Sequence, residues 1–203
     1  VYTENERLGW SAYVHALARH YRGRVNHYEV WNEPDAGFFK PTPDPALYTE
    51  LVKQTASIIR AEIPDAFIIG GALAAAMTPA GLEFAESCFE HGLAESIDAV
   101  SYHGYKFMPE QYVEQEFPAF RHLLNKYKRA LPYWQGETGC PSEVPPGNNQ
   151  ALCAMKVSET VQARWLLRRI LVELASQASV VSYFNMGDFT KYLFDGDLGY
   201  TSH

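Results

Sequence analysis

Apolar residues along this chain alternate between two spacings: short, almost unbroken runs, and longer stretches in which they return every three or four positions. Trp10, Tyr13, Val14, Leu17, Ala18 and Tyr21 follow the second spacing and share one helical face. Residues 27–31 then read as a strand ending at Asn32, Glu33 and Pro34, because proline brings no N–H to a sheet ladder. Asp44 and Pro45 fit a helix cap and first helical position. Behind them Leu47, Tyr48, Leu51, Val52, Thr55, Ile58 and Ile59 form a stripe for burial. Residues 67–71 are the next strand, and Thr78 with Pro79 opens a helix whose inner face is Leu82, Ala85, Cys88 and Phe89. Gly92 suits a left-handed residue just past its end.

The alternation continues to the end of the chain. Residues 99–102 make a strand running into His103, Gly104 and Tyr105. A helix with Phe117, Phe120, Leu123, Leu124 and Tyr127 follows, expected to break or restart at Pro118. The strand 133–137 ends at Glu137, and residues 141–157, rich in proline, glycine and asparagine, read as a long surface loop. Val161, Trp165, Leu166, Ile170 and Leu174 mark the last strong helix, and residues 180–184 the last strand. Strands separated by single helices mean a parallel sheet, since parallel neighbours need a crossover. The nearly continuous apolar runs predict strands covered on both faces. The fold class is therefore α/β, and all 203 residues are read as one domain.

Periodicity does not separate a doubly wound sheet from a barrel. No glycine-rich phosphate loop follows any strand, which removes the usual evidence for a nucleotide-binding fold. In both architectures the functional face lies at the carboxyl ends of the strands, and two of those ends carry glutamates, Glu33 and Glu137. Three βα steps separate them, so in a closed sheet both side chains are expected to point into one cleft. His27, Glu29 and Asp98 fall toward the opposite ends and are assigned to stability.

The segment Trp31-Asn32-Glu33-Pro34 resembles the strand end of the clan A glycoside hydrolases, which include cellulases, β-xylosidases and β-galactosidases. In that clan an asparagine-glutamate pair ends the fourth barrel strand and a nucleophilic glutamate ends the seventh. The resemblance implies a (β/α)8 TIM barrel of which this chain carries strands 4 to 8. An eight-stranded barrel of this kind takes about 250 residues, so the polypeptide is expected to continue beyond both Val1 and His203.

The same resemblance implies a retaining O-glycosyl hydrolase acting on β-glycosidic bonds of oligo- or polysaccharides. Glu33 would be its general acid/base and Glu137 its nucleophile, a chemistry that needs one carboxyl protonated while the other is ionised. Asn32 would bond a sugar hydroxyl. His103 and Tyr105 stand where clan members orient the nucleophile or bind sugar, and Tyr105 is assigned to orienting Glu137. Phe38, with Phe39 and Lys40, would line the cleft. Many clan members end the last strand with a tryptophan beneath the sugar; this chain has Phe184 there, followed by Asn185 and Asp188. Trp31 and Trp134, inside strands, read as packing. An alternative from another class is a carbohydrate-binding pseudo-enzyme that keeps the barrel without turnover.

Composition narrows the partners. With 24 acidic against 17 basic residues the net charge is -7, which provides no footprint for a nucleic acid. No apolar run reaches the roughly 20 residues of a membrane span. The seven histidines show neither His-x-His nor His-Glu-x-x-His spacing, so no metal and no cofactor is expected. Cys88, Cys140 and Cys153 form neither a disulfide scaffold nor a zinc pattern, and a Cys140 to Cys153 bridge stays open. A first residue other than methionine points to an upstream segment removed by processing or lying outside this sequence; location stays unknown, with a secreted or periplasmic one favoured over others. Oligomeric state is not legible.

Overall fold

The structure, a computed structural model, describes residues 3–106, 108–111, 113–127, 131–140 and 157–184. Five helices and five strands alternate there: α1 (Glu4–Tyr21), β1 (His27–Glu29), α2 (Pro45–Glu62), β2 (Phe67–Leu73), α3 (Pro79–Glu90), β3 (Ala99–His103), α4 (Val113–Lys126), β4 (Tyr133–Thr138), α5 (Glu159–Ala175) and β5 (Val180–Tyr183). The strands follow one another in sequence order. β1–β2 and β2–β3 pair in parallel, as the helical crossovers require. The chain divides into two compact units, Val1–Gly104 with Glu114–Trp134, and Tyr105–Val113 with Gln135–His203. Among the described residues, no helix is long and apolar enough to cross a membrane.

In the first unit, side chains close the helix ends that the backbone leaves open. Thr3 and Glu6 form a reciprocal capping box on α1. The Asp44 carboxylate accepts from Leu47 N at 2.9 Å with Pro45 in the first turn of α2, and Thr78 Oγ1 accepts from Gly81 N ahead of α3. Gly92 takes the left-handed conformation, φ 86°, past α3. Tyr48, Leu51, Val52, Thr55, Ala56 and Ile59 form the buried stripe of α2, with Leu51, Val52 and Ile59 each contributing about 1.5–3 kcal/mol relative to exposure. On α1 only Val14 and Ala18 are buried, and Tyr13 and Tyr21, expected inside, are exposed. α4 runs unbroken through Pro118, which sits near its start, where the missing N–H removes one intrahelical bond without stopping the helix. Asp98, at the amino-terminal side of the sheet, accepts from Ile68 N and from Arg60.

The hydroxyl of Tyr48 organises the strand ends. Fully buried, it accepts from Gly71 N at 2.7 Å and donates to Val30 O at 3.2 Å, reaching from α2 into the gap where β1 and β2 part. Burial holds the phenol above its ordinary pKa, so it stays neutral and can do both. The β2–β3 register shifts between Gly70 and Leu73 at the same level. Gly71 is required there: its φ is 103°, and an added Cβ would lie 2.5 Å from Ser101 O.

The second unit departs from the sequence reading. The buried residues of α5 are Arg169 and Glu173, an ion pair one turn apart at 2.5 Å, with Arg169 also donating to Pro109 O. Leu174, expected in the buried stripe, is exposed with Leu167 and Leu171. β5 alternates exposed and half-buried residues instead of being covered on both faces.

Tyr48→Phe removes the bridge while keeping the packing, and leaves a buried strand amide to be satisfied anew. We expect a loss of about 1–3 kcal/mol in urea unfolding; an unchanged midpoint would show that the hydroxyl is dispensable.

Candidate active site

β1 stops before the proline that was expected to stop it. Val30 N still donates to Ile69 O at 3.0 Å, but Trp31 turns left-handed at φ 72° and the chain leaves the ladder. Glu33 is also left-handed, φ 45°, and its N–H donates to the carbonyl of Ala72, itself at φ 46°, at 3.0 Å. Each such conformation costs a residue with a Cβ about 1–2 kcal/mol, so neighbouring contacts must hold it. Asp35 supplies them, accepting from Ala74 N with Oδ1 and from Ala75 N with Oδ2, both at 2.8 Å. Ala36 N donates to Glu33 O at 3.0 Å and closes the turn.

So held, the Glu33 side chain meets His103. Nδ1 of His103, at the carboxyl end of β3, lies 2.8 Å from Glu33 Oε1. The imidazole is 3% exposed and the carboxyl 17%. Tyr102, Ser101 and His103 are all buried, so the ring is fixed by the strand that carries it. His103 had been read as a sugar ligand or a group orienting the nucleophile; the structure also pairs it with Glu33.

In the second unit the Tyr105 hydroxyl donates to Oε1 of Glu137, the partnership expected from the sequence. Gln135, fully buried in β4, donates to Glu137 O at 2.7 Å and ties down the strand end. Two residues on, Gly139 leaves room for the β5 backbone, where Phe184 N donates to Thr138 O at 2.7 Å. Burial raises the Cys140 thiol above its ordinary pKa, keeping it protonated and unreactive. Cys153, and with it the question of a bridge, lies outside the described residues.

The remaining candidates fall into exposed and buried sets. Asn32 is exposed beside Glu33; Phe38, in the loop after β1, and Phe184, just past β5, are 47% and 43% exposed. Phe39 does not line a cleft: it is buried against Trp31 and Tyr48. Trp31 packs on Trp10, and Trp134 stacks on Phe67 at 5.6 Å, so both tryptophans pack as expected. Asn185 and Asp188 lie outside the described residues. Sequence reading missed Asp35 and the hydroxyl of Tyr48. An aspartate directly after a proline in a turn was the available signal for the first.

Comparison with known proteins places this geometry. The profile of the glycosyl hydrolases of family 39 matches residues 1–191. Among solved structures, the chain is similar to a family 39 glycoside hydrolase from the gut symbiont Bacteroides cellulosilyticus WH2, at 21% identity and a TM-score of 0.69 over 92% of this chain and 39% of that one. It is similar to a monomeric β-xylosidase from Caulobacter crescentus CB15 and to the GH39 enzyme from Xanthomonas axonopodis pv. citri. Each of these two is 22% identical, with a TM-score of 0.63 over 88% of this chain and 38% of the other. The chain thus spans about 39% of the length of the first of these structures. The likeness establishes the fold as part of a (β/α)8 barrel, as the strand-end motif implied. No curated protein matches the chain significantly.

A methyl group at Gly139 would stand 2.0 Å from Phe184 O, so Gly139→Ala has to push β5 away from β4. We expect a loss of roughly 1–3 kcal/mol in thermal unfolding; a variant as stable as the parent would contradict the close approach.

Proposed function

Because the chain belongs to the glycosyl hydrolases of family 39, we propose that the protein hydrolyses β-glycosides with net retention, using Glu33 as general acid/base and Glu137 as nucleophile. In the first step Glu137 attacks the anomeric carbon while Glu33 gives its proton to the departing glycosidic oxygen. A glycosyl ester on Glu137 results. In the second step Glu33 takes a proton from water as that water attacks the same carbon, and the ester bond breaks to regenerate the Glu137 carboxylate. No cofactor enters the balance.

The observation that carries the reading is the difference between the two partnerships. A carboxyl that must lose and regain a proton is joined to a buried imidazole, which can accept a hydrogen bond in one state and donate it in the other. A carboxyl that must attack as an anion receives an O–H donor from Tyr105. Asn32, exposed beside Glu33, is the candidate for bonding the hydroxyl next to the reacting carbon. Phe38, exposed in the loop after β1, and Phe184, exposed just past β5, are candidates for apolar contact with a sugar face. Similarity to the Caulobacter β-xylosidases favours a β-xyloside as substrate.

The test is covalent trapping. With 2,4-dinitrophenyl 2-deoxy-2-fluoro-β-xyloside, the peptide carrying Glu137 gains one fluoroxylosyl increment in peptide mass analysis; a label on any other residue overturns the assignment. In parallel, Glu33→Ala loses roughly 100- to 10,000-fold on poor leaving groups, while its turnover of a 2,4-dinitrophenyl β-xyloside, limited by breakdown of the glycosyl ester, is restored by azide with release of the β-glycosyl azide. Failure of azide to restore turnover removes Glu33 from the acid/base role.

A further inference from the structure

The Asp35 carboxylate spends both oxygens on backbone. Ala74 N and Ala75 N, in the loop that leaves β2, each donate to it at 2.8 Å, so the loop after β1 and the loop after β2 are fastened at one point. Two residues before that point on each side stand Glu33 and Ala72, joined by the Glu33 N to Ala72 O bond, and both are left-handed. An L-residue at φ near 45° relaxes toward the extended or right-handed region when nothing opposes it. Relaxation at Glu33 rotates its Cα–Cβ bond and carries Oε1 away from the fixed Nδ1 of His103. Charge-assisted bonds to backbone amides are among the stronger restraints available to a turn.

We propose that Asp35 is a positioning residue for the acid/base: by clamping the two loops it holds Glu33 in its left-handed conformation and so keeps the carboxyl on His103. The inference rests on the acid/base reading of Glu33. Asp35 needs no contact with the sugar, and its effect is confined to steps in which Glu33 moves a proton.

That confinement makes it testable. A 2,4-dinitrophenyl β-xyloside needs no protonation to depart, whereas a phenyl β-xyloside does. In the full-length protein, Asp35→Asn replaces one acceptor by an amide facing another N–H. We expect kcat/KM for the phenyl substrate to fall roughly 10- to 100-fold, with less than about a threefold change for the dinitrophenyl substrate. The ratio of the two rates does not depend on how much of the sample is folded, so a merely destabilised enzyme leaves it unchanged. Should Asp35→Asn not fold, Ala74→Pro, which deletes one donor and leaves the carboxylate, carries the same measurement. Equal losses on both substrates overturn the inference. Glu33→Ala is measured beside it: a selective loss there, with none in the Asp35 or Ala74 variant, overturns the positioning role alone. No selectivity in Glu33→Ala overturns the acid/base reading and the inference together.

Discussion

The hydrogen bond from Glu33 N to Ala72 O is the constraint on which the candidate acid/base depends. It joins Glu33, past the end of β1, to Ala72, next to the end of β2, both in a conformation that residues with a Cβ seldom adopt, and it survives because the chain is tied on both sides of it. Below, the buried hydroxyl of Tyr48 spans Val30 and Gly71. Above, Asp35 binds the amides of Ala74 and Ala75. Continuing as a regular strand, residues 31–33 would alternate across the sheet, and Glu33 would take its direction from the pleat. The left-handed turn releases it from that alternation and aims it at His103. Local strain of a few kcal/mol is thereby converted into a fixed direction for one carboxyl.

The elements that position this arrangement were legible because their physics is local. Helical spacing in α2 and the cap-proline pairs at Asp44 and Thr78 are properties of neighbouring residues, and the structure has all of them. The strand end at β1 was placed two residues late, because Trp31 is neither glycine nor asparagine and nothing in its own identity announces a positive φ. Its flanks are what β2 and α2 hold: Val30 is hydrogen-bonded to Ile69 and Tyr48, and Glu33 to Ala72. The Glu33–His103 pair joins residues 70 apart, and Asp35 reaches residues 39 and 40 positions away, separations that no pattern within one element can reveal. Tyr48 was recognised as part of an apolar stripe, but its hydroxyl acts on a gap that exists only after the strands have paired. α5 shows the opposite failure: its periodicity is real, yet periodicity says that a helix has faces and not which face is covered, and the buried pair proved to be Arg169 with Glu173.

Retaining hydrolysis asks two residues of one type to behave differently, and identical side chains differ only through what surrounds them. Here the difference is written in the partners. His103 is buried at the end of β3 and can exchange the donor role with Glu33, as the proposed acid/base requires. Tyr105 gives Glu137 an O–H, the partner that the proposed nucleophile, an anion until it attacks, calls for. Gln135, holding the Glu137 carbonyl, does for the end of β4 what Asp35 does for the turn after β1: it takes freedom from the backbone so that the side chain has one direction.

The central claim is a double displacement, and stereochemistry tests it most directly. Proton NMR during the first minutes of hydrolysis of an aryl β-xyloside by the full-length protein records the anomer released before mutarotation. Two inversions at the same carbon predict that the β-anomer appears first. An α-anomer as the first product would mean a single inversion, and would contradict the assignment of Glu137 as a nucleophile.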